Sequence, residues 1–433
     1  MMREITDRIK HDPPTVRWHI ILFLLFTSLY GFSQQETILP ASEPEKTGLS
    51  SNRLNQVNTV MQRYVDEKKL PGMITMVARH GKVVSFEKYG LMAVGKPMQL
   101  NAIFRIASMT KPIASVAVMI LYDEGYFQLD DPVSKYIPEF KDLKVLSSVD
   151  KNGINLADQS KPMIIRNLLM HTSGLVSGGE NTPVDSIYRA ANLSDGTLKD
   201  MILKLANIPL LFQPGTKWKY GRSTDVLAYL VEVISGKPFD IFLKERIFIP
   251  LKMKDTDYYV SKEKLNRVSA VYGLSDSLGF EVLTNPEINN VSMPVKFLSG
   301  NGGLLSTATD YMIFSQMLLN KGEYNGMRIL ASKTVDLMTS NQITNEIMPD
   351  DDYFGPLLSG MGFGFGFAVI KENSQSNFTG SPGSYWWAGT ANTYFFIDPK
   401  KDLILIFLTQ FVPNFYYPVC KEFRELVYKS VVE

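Results

Sequence analysis

Cysteine is almost missing from this chain. Cys420 is the only one in 433 residues, which excludes an intrachain disulfide and leaves stability to packing. Histidine is nearly as scarce: of four, only His80 and His171 lie beyond the N-terminal leader described below. They are isolated, and no His-Glu-x-x-His spacing occurs, so no metal is expected. The same scarcity leaves a Ser-His-Asp triad poorly supplied, and no Gly-x-Ser-x-Gly elbow exists anywhere. An excess of one charge is absent too. Basic and acidic residues number 45 and 44, with no basic block interleaved with aromatics, so a nucleic-acid partner has no electrostatic footprint. Internal repeats and low-complexity tracts are lacking as well.

What is present describes an ordinary globular core, 45% hydrophobic, long enough for two domains or one large one. Arg3, Arg8, Lys10 and Arg17 precede the apolar run Ile20 to Phe26, and Gly31 and Ser33 follow. This is the order of a secretory signal peptide over 1–33, with cleavage near Ser33, and it predicts a periplasmic or secreted protein. An uncleaved anchor is the alternative, and no cysteine is near to carry a lipid.

A linker, 34–47, leads to an apolar stripe at Leu54, Val57, Met61 and Tyr64 behind a serine cap, which predicts a helix. His80-Gly81 between two apolar runs predicts a hairpin. From 104 to 290 helical patterns alternate with Pro- and Gly-rich loops. Thr307-Ala308-Thr309-Asp310 then reads as a capping box, followed by strands at 363–370, 394–397 and 403–409 and a helix at 419–432. In Met361 to Phe367 glycine alternates with bulky residues, which reads as a strand with one bare face. The expected fold class is α+β. A discontinuous sheet domain, 48–105 with 291–433, encloses a mostly helical domain, 106–290.

Serine and lysine stand three apart four times, at Ser85/Lys88, Ser108/Lys111, Ser148/Lys151 and Ser261/Lys264. On a strand that offset sends the side chains to opposite faces, which removes Ser85. Ser148 and Ser261 fall in polar segments, where lysine stays solvated and protonated. Only Ser108 opens a long apolar helix, with Pro112 in its first turn, so that an amine and a hydroxyl share one face in a dry setting. That is the form of an activated nucleophile.

The segment Phe104 to Lys111 resembles the nucleophile motif of the serine β-lactamase-related and penicillin-binding-protein-like hydrolases. In the family's order follow Leu129-Asp130-Asp131-Pro132-Val133, Met170-His171-Thr172-Ser173-Gly174-Leu175, Gln213 to Tyr220, Gly302 to Thr307, and Trp387-Ala388-Gly389-Thr390. The resemblance spans about 45–410 and implies the β-lactamase/transpeptidase-like fold: an antiparallel sheet flanked by terminal helices, with the helical domain inserted. It implies Ser108 as nucleophile, Lys111 and Tyr220 as proton carriers, and the amides of Ser108 and Thr390 as oxyanion hole. No cofactor is implied.

Two departures bear on substrate. The family's second motif is Tyr-x-Asn, but Tyr220-Gly221-Arg222 has arginine third, which either pairs with a substrate carboxylate or points to solvent, the second being favoured. Where peptidases and β-lactamases of this group carry Lys-Thr-Gly or His-Thr-Gly, this chain has Trp387-Ala388-Gly389, similar to the Trp-Gly-Gly of the β-lactamase-like esterases. An indole offers no charge, so Trp387, Ala388 and Gly389 are expected to seat a small ester by apolar contact. His171 reads as structural, ending a helix before Gly174, and Trp386 as core. The expected activity is carboxylic ester hydrolysis. The alternatives are a D-Ala-D-Ala carboxypeptidase or β-lactamase, and a non-catalytic envelope binding protein.

Overall fold

The computed structural model describes residues 39–151, 153–179, 181–276, 279–285, 290–347, 358–372 and 378–432; the expected leader, 1–33, lies outside them. The first helix, α1 (Ser51–Asp66), starts where Ser50 accepts the amide of Arg53, and it buries Leu54, Val57, Met61 and Tyr64. β1 (Gly72–Arg79) and β2 (Lys82–Ala93) follow, joined by His80 and Gly81 at φ 52° and 68°. Two positive φ angles make the tight turn whose twist suits a two-residue hairpin. β3 (Lys96–Pro97) closes that edge, where a proline blunts further pairing.

Between this hairpin and the remaining strands lie α2 (Thr110–Asp123), α3 (Ile165–Leu169) and α4 (Ser223–Ser235), then α5 (Ala308–Leu319). The chain ends with β4 (Gly362–Phe363), β5 (Ala368–Val369), β6 (Tyr385–Ala388), β7 (Tyr394–Asp398), β8 (Leu403–Thr409) and α6 (Val419–Ser430). The sheet runs β4-β5-β6-β7-β8-β1-β2-β3, antiparallel throughout. β8, entirely buried, joins the two chain ends by pairing Met73 through Arg79 with Thr409 through Leu403.

Successive residues of a strand face opposite ways, so β7 shows how the sheet is covered. Phe395 meets Tyr311 of α5, while Phe396 meets Tyr428 of α6. Both faces are therefore capped by helices. The terminal helices are tied by the amide of Ser50 to the carbonyl of Ser430 and by Arg53 to the carbonyl of Lys429. The fold is α+β, and its large sheet draws its strands from 72–97 and 362–409.

Three local expectations are corrected. The run 361–367 is a hairpin limb and turn instead of one strand: β4 and β5 are two residues each, and Gly366, at φ 90°, turns the chain where a Cβ would lie 2.4 Å from the Ser115 hydroxyl of α2. The bare side of Gly364 sits against the carbonyl of Met338, 2.1 Å from where a Cβ would be. The stretch 104–290 also contains hairpins, Val145–Asp150 with Gly153–Ala157 and Tyr272–Ser275 with Gly279–Val282. Finally, Thr307 caps α5 by accepting the amide of Asp310, but the Asp310 carboxylate goes elsewhere, to the amide of Asp255 and the hydroxyl of Thr256. The box is half made because a second loop needs that carboxylate.

Candidate active site

Ser108 sits in a short 3-10 turn, Ala107–Met109, that runs directly into α2. From Thr110 to Leu121 every side chain of α2 is buried, which places Lys111 in the apolar interior at 2% exposure. Each of its large apolar side chains contributes about 1.5–3 kcal/mol by leaving water, so the helix is firmly seated. Ala107 adopts φ 44°, a left-handed conformation that costs an L-residue about 1 kcal/mol and tips the next residue out of the helix axis. Ser108 itself is only half-buried.

The turn is clamped from two sides. Thr393 donates its hydroxyl to the carbonyl of Ile106 at 3.0 Å, and the amide of Ile106 donates to the carbonyl of Leu304 at 3.1 Å. Gly389, at the end of β6, comes so close that a Cβ there would stand 2.5 Å from the Ile106 carbonyl oxygen and 2.2 Å from Thr393 Oγ1. Glycine is required at 389 for approach to the nucleophile turn. We expect Gly389→Ala to lower kcat/KM for an activated ester by about 10- to 100-fold, with a loss of about 1–3 kcal/mol in stability. Steady-state kinetics alongside denaturant melts check both.

Thr390 follows at the surface. Among the described residues, neither its amide nor that of Ser108 donates to a backbone carbonyl, so both donors are available to an oxyanion.

Lys111 Nζ lies 3.2 Å from Ser108 Oγ and donates to the carbonyl of Asn301 at 2.8 Å. It also stands over the ring of Tyr220, 4.3 Å from the centroid. Burial pulls the ammonium down to about 7, opposed by the nearby charge of Asp225 and reinforced by that of Arg222. Near neutrality a large fraction of Lys111 is thus a free amine beside a serine hydroxyl. The other serine–lysine pairs are dispersed: Ser85 and Lys88 sit on β2, Ser148 and Lys151 are exposed at a hairpin, and Lys264 pairs with Asp255.

Tyr220 is brought to the amine by the His171-Thr172-Ser173-Gly174 loop. The amide of Lys219 donates to the carbonyl of His171, the amide of Gly215 to that of Thr172, and the Ser173 and Ser223 hydroxyls meet at 2.8 Å. His171 is buried with its ring 5.0 Å from that of Tyr220, and burial together with the Lys111 charge holds it well below the ordinary histidine range. It is a neutral wall of the site.

The expected substrate contacts are revised. Trp387 is fully buried and lies against Tyr220 and Phe363, 5.5 and 5.6 Å between centroids, so its indole supports the tyrosine and is not exposed to a ligand. Ala388 is buried too. Trp386 is core, stacked on Phe378. Arg222 does not point freely to solvent: its side chain is 23% exposed and its guanidinium pairs at 3.1 Å with the buried carboxylate of Asp225, one turn into α4.

Asp225, Ser299 and Asn301 are site residues the sequence reading missed. Asp225 Oδ1 accepts the Ser299 hydroxyl at 2.7 Å and the Asn301 amide at 2.9 Å, and the Asn301 carbonyl then receives Lys111. Asp225, three residues past Arg222 at a helix start, carries the one local signal that could have revealed this pair. Among the described residues no group of His, Cys, Asp and Glu is placed to hold a metal ion.

A half-exposed serine with a desolvated lysine at its hydroxyl, at the head of a helix buried from Thr110 to Leu121, defines a serine hydrolase, and the chain belongs to the β-lactamase family, whose model matches residues 57–429. Among curated relatives, protein Rv1367c of Mycobacterium tuberculosis is 34% identical over 357 residues, covering 81% of this chain and 88% of its own. Esterase EstB of Burkholderia gladioli is 27% identical over 383 residues, covering 82% and 89%. Among solved structures, EstCE1, described as a hydrolase with promiscuous acyltransferase activity, superposes with a TM-score of 0.72 at 25% identity, covering 87% of this chain and 98% of that one.

Proposed function

We propose that this protein is an exported hydrolase of small carboxylic esters that works through an acyl-enzyme on Ser108. The observation that carries the reading is Lys111 Nζ at 3.2 Å from Ser108 Oγ, in surroundings that bring its ammonium down to about 7. Ser108 Oγ attacks the ester carbonyl while its proton passes to Lys111. The new ammonium keeps the Asn301 carbonyl and the Tyr220 ring face as partners, both of which favour the charged form. The tetrahedral oxyanion is held by the amides of Ser108 and Thr390. As it collapses, the leaving alkoxide takes the proton by way of Lys111 and Tyr220, and water repeats the sequence in reverse roles to release the acid.

Ester is favoured over peptide or β-lactam because the usual cation for a substrate carboxylate is replaced. Trp387 stands in its motif position, and the guanidinium of Arg222 is engaged with Asp225. EstB is named an esterase, which accords with this choice. Export rests on the leader at 1–33.

Kinetic comparison of p-nitrophenyl butyrate, nitrocefin and a D-Ala-D-Ala peptide tests the assignment. The ester is expected to give the highest kcat/KM by at least about 100-fold, the size of discrimination that about 3 kcal/mol of transition-state contacts supplies. Faster turnover of the β-lactam or the peptide would make the protein a β-lactamase or carboxypeptidase instead.

A further inference from the structure

The position at which this chain departs from its family's second motif is Arg222, and the structure gives that arginine a partner. It occupies the N-cap of α4 and reaches forward one turn to Asp225, 3.1 Å away. Asp225 is fully buried. Its two oxygens do different things: Oδ2 meets Arg222, while Oδ1 takes the Ser299 hydroxyl and the Asn301 amide. The loop so held lies tight on α4, where a Cβ on Gly300 would stand 2.4 Å from the Thr224 carbonyl oxygen. The carbonyl of Asn301 then points at Lys111 Nζ, 2.8 Å away. A continuous line of contacts thus runs from Arg222 through Asp225 and Asn301 to the base.

We infer that Arg222 is a positioning residue for the reaction: by offsetting the charge of Asp225 it helps Lys111 stand as a free amine, while Asp225 in turn aims the Asn301 carbonyl at that amine.

The physical difficulty it solves is specific. A loop carbonyl must be pinned beside the lysine, and a buried carboxylate pins it well, accepting two donors at once. A bare carboxylate so near would also stabilise the ammonium and spoil the base. Pairing it with a guanidinium keeps the clamp and offsets part of the field. The directions agree: the charge of Asp225 raises Lys111 and that of Arg222 lowers it. The other groups facing the amine leave that balance to this pair. Ser108 Oγ and the Asn301 carbonyl are uncharged, Tyr220 presents its ring, and His171 is held neutral by burial. Tyr258, whose hydroxyl donates to the Ser299 carbonyl, is pushed well above the ordinary tyrosine range and also stays neutral.

This inference rests on Ser108 acylation, so its test uses a fluorophosphonate probe, which acylation-competent serine takes up without ester preference. The labelling rate of the wild type is expected to rise with pH through about 7. In Arg222→Gln the limb is expected to move up by about one unit, which lowers the rate at pH 7 about five-fold. Arg222→Lys, keeping the charge, holds the limb near the wild-type position. Asp225→Asn moves it the other way, and the double substitution Arg222→Gln/Asp225→Asn brings it back, which a merely structural pair would not do. Opposite shifts from either single variant carry the point if the other fails to fold. A limb that stays within about 0.2 units in the folded variants overturns the inference while leaving acylation intact. Failure to label the wild type at any pH overturns the acylation reading itself.

Discussion

Replacing Ser108 with alanine will lower kcat/KM for an activated ester by about 10,000-fold or more and abolish covalent labelling by a fluorophosphonate. The size follows from what remains. Nucleophile, base and oxyanion donors act as one unit, so removing the attacking atom forfeits the acyl-enzyme route and leaves only oriented water. Fold should be preserved, because Ser108 is half-buried and its hydroxyl is not among the bonds that clamp the turn, which run from Thr393 to the carbonyl of Ile106 and from the amide of Ile106 to Leu304. A far-ultraviolet spectrum unchanged from wild type, with label lost in intact-mass measurement, is the expected pair of results. Residual labelling in Ser108→Ala would point to another nucleophile.

Lys111→Met should cost about 1,000- to 10,000-fold in activity yet raise the melting temperature near neutral pH. The activity loss is that of a general base. The stability gain comes from linkage. A folded-state value near 7 against an unfolded one of 10.5 means that the unfolded chain binds the extra proton over the whole interval between them. Wild-type stability therefore rises with pH from about 7 towards 10.5 and is lowest below 7, where folding must bury an ammonium. The difference corresponds to at most about 5 kcal/mol, reduced in practice by the loss of the contacts to Ser108, Asn301 and Tyr220. Methionine keeps the volume and removes the titration, so thermal melts should separate the two proteins at pH 6 and bring them together near pH 10. A variant less stable than wild type at pH 6 would mean that those contacts outweigh the burial of charge.

How far the sequence could be read depended on whether the controlling contact was local. Ser108 and Lys111 are three residues apart on a helix whose apolar run is continuous, so their meeting follows from helical geometry. The hairpin at His80-Gly81 is as local. Tyr220 could be placed only through the motif it ends, because what carries it to Lys111 is the main chain of His171 and Thr172, some 45 residues earlier. The Asn301 carbonyl left no trace at all, since a main-chain oxygen 190 residues from its lysine has no side-chain signature. The burial of Trp387 is hidden from the sequence for a related reason. Alternation on a strand says that Trp386 and Trp387 face opposite ways, but a sheet covered by helices on both sides buries either face. The partner of Arg222 depends on where α4 starts, because Asp225 comes within reach only with the helix beginning at Ser223.

The pairing of β1 with β8 sets how much of the chain must be made before the molecule can be active. The helix bearing the serine emerges early, but the glycine that wedges its turn, the threonine that grips it and the strand that completes the sheet are made some 280 to 300 residues later. A chain released prematurely carries Ser108 without the contacts of Gly389 and Thr393 that hold its turn, and on the proposed mechanism it is inert. Such long-range closure also predicts slow folding. Hydrolytic competence therefore waits on the last strands of the sheet, and a product truncated before them is expected to be inactive.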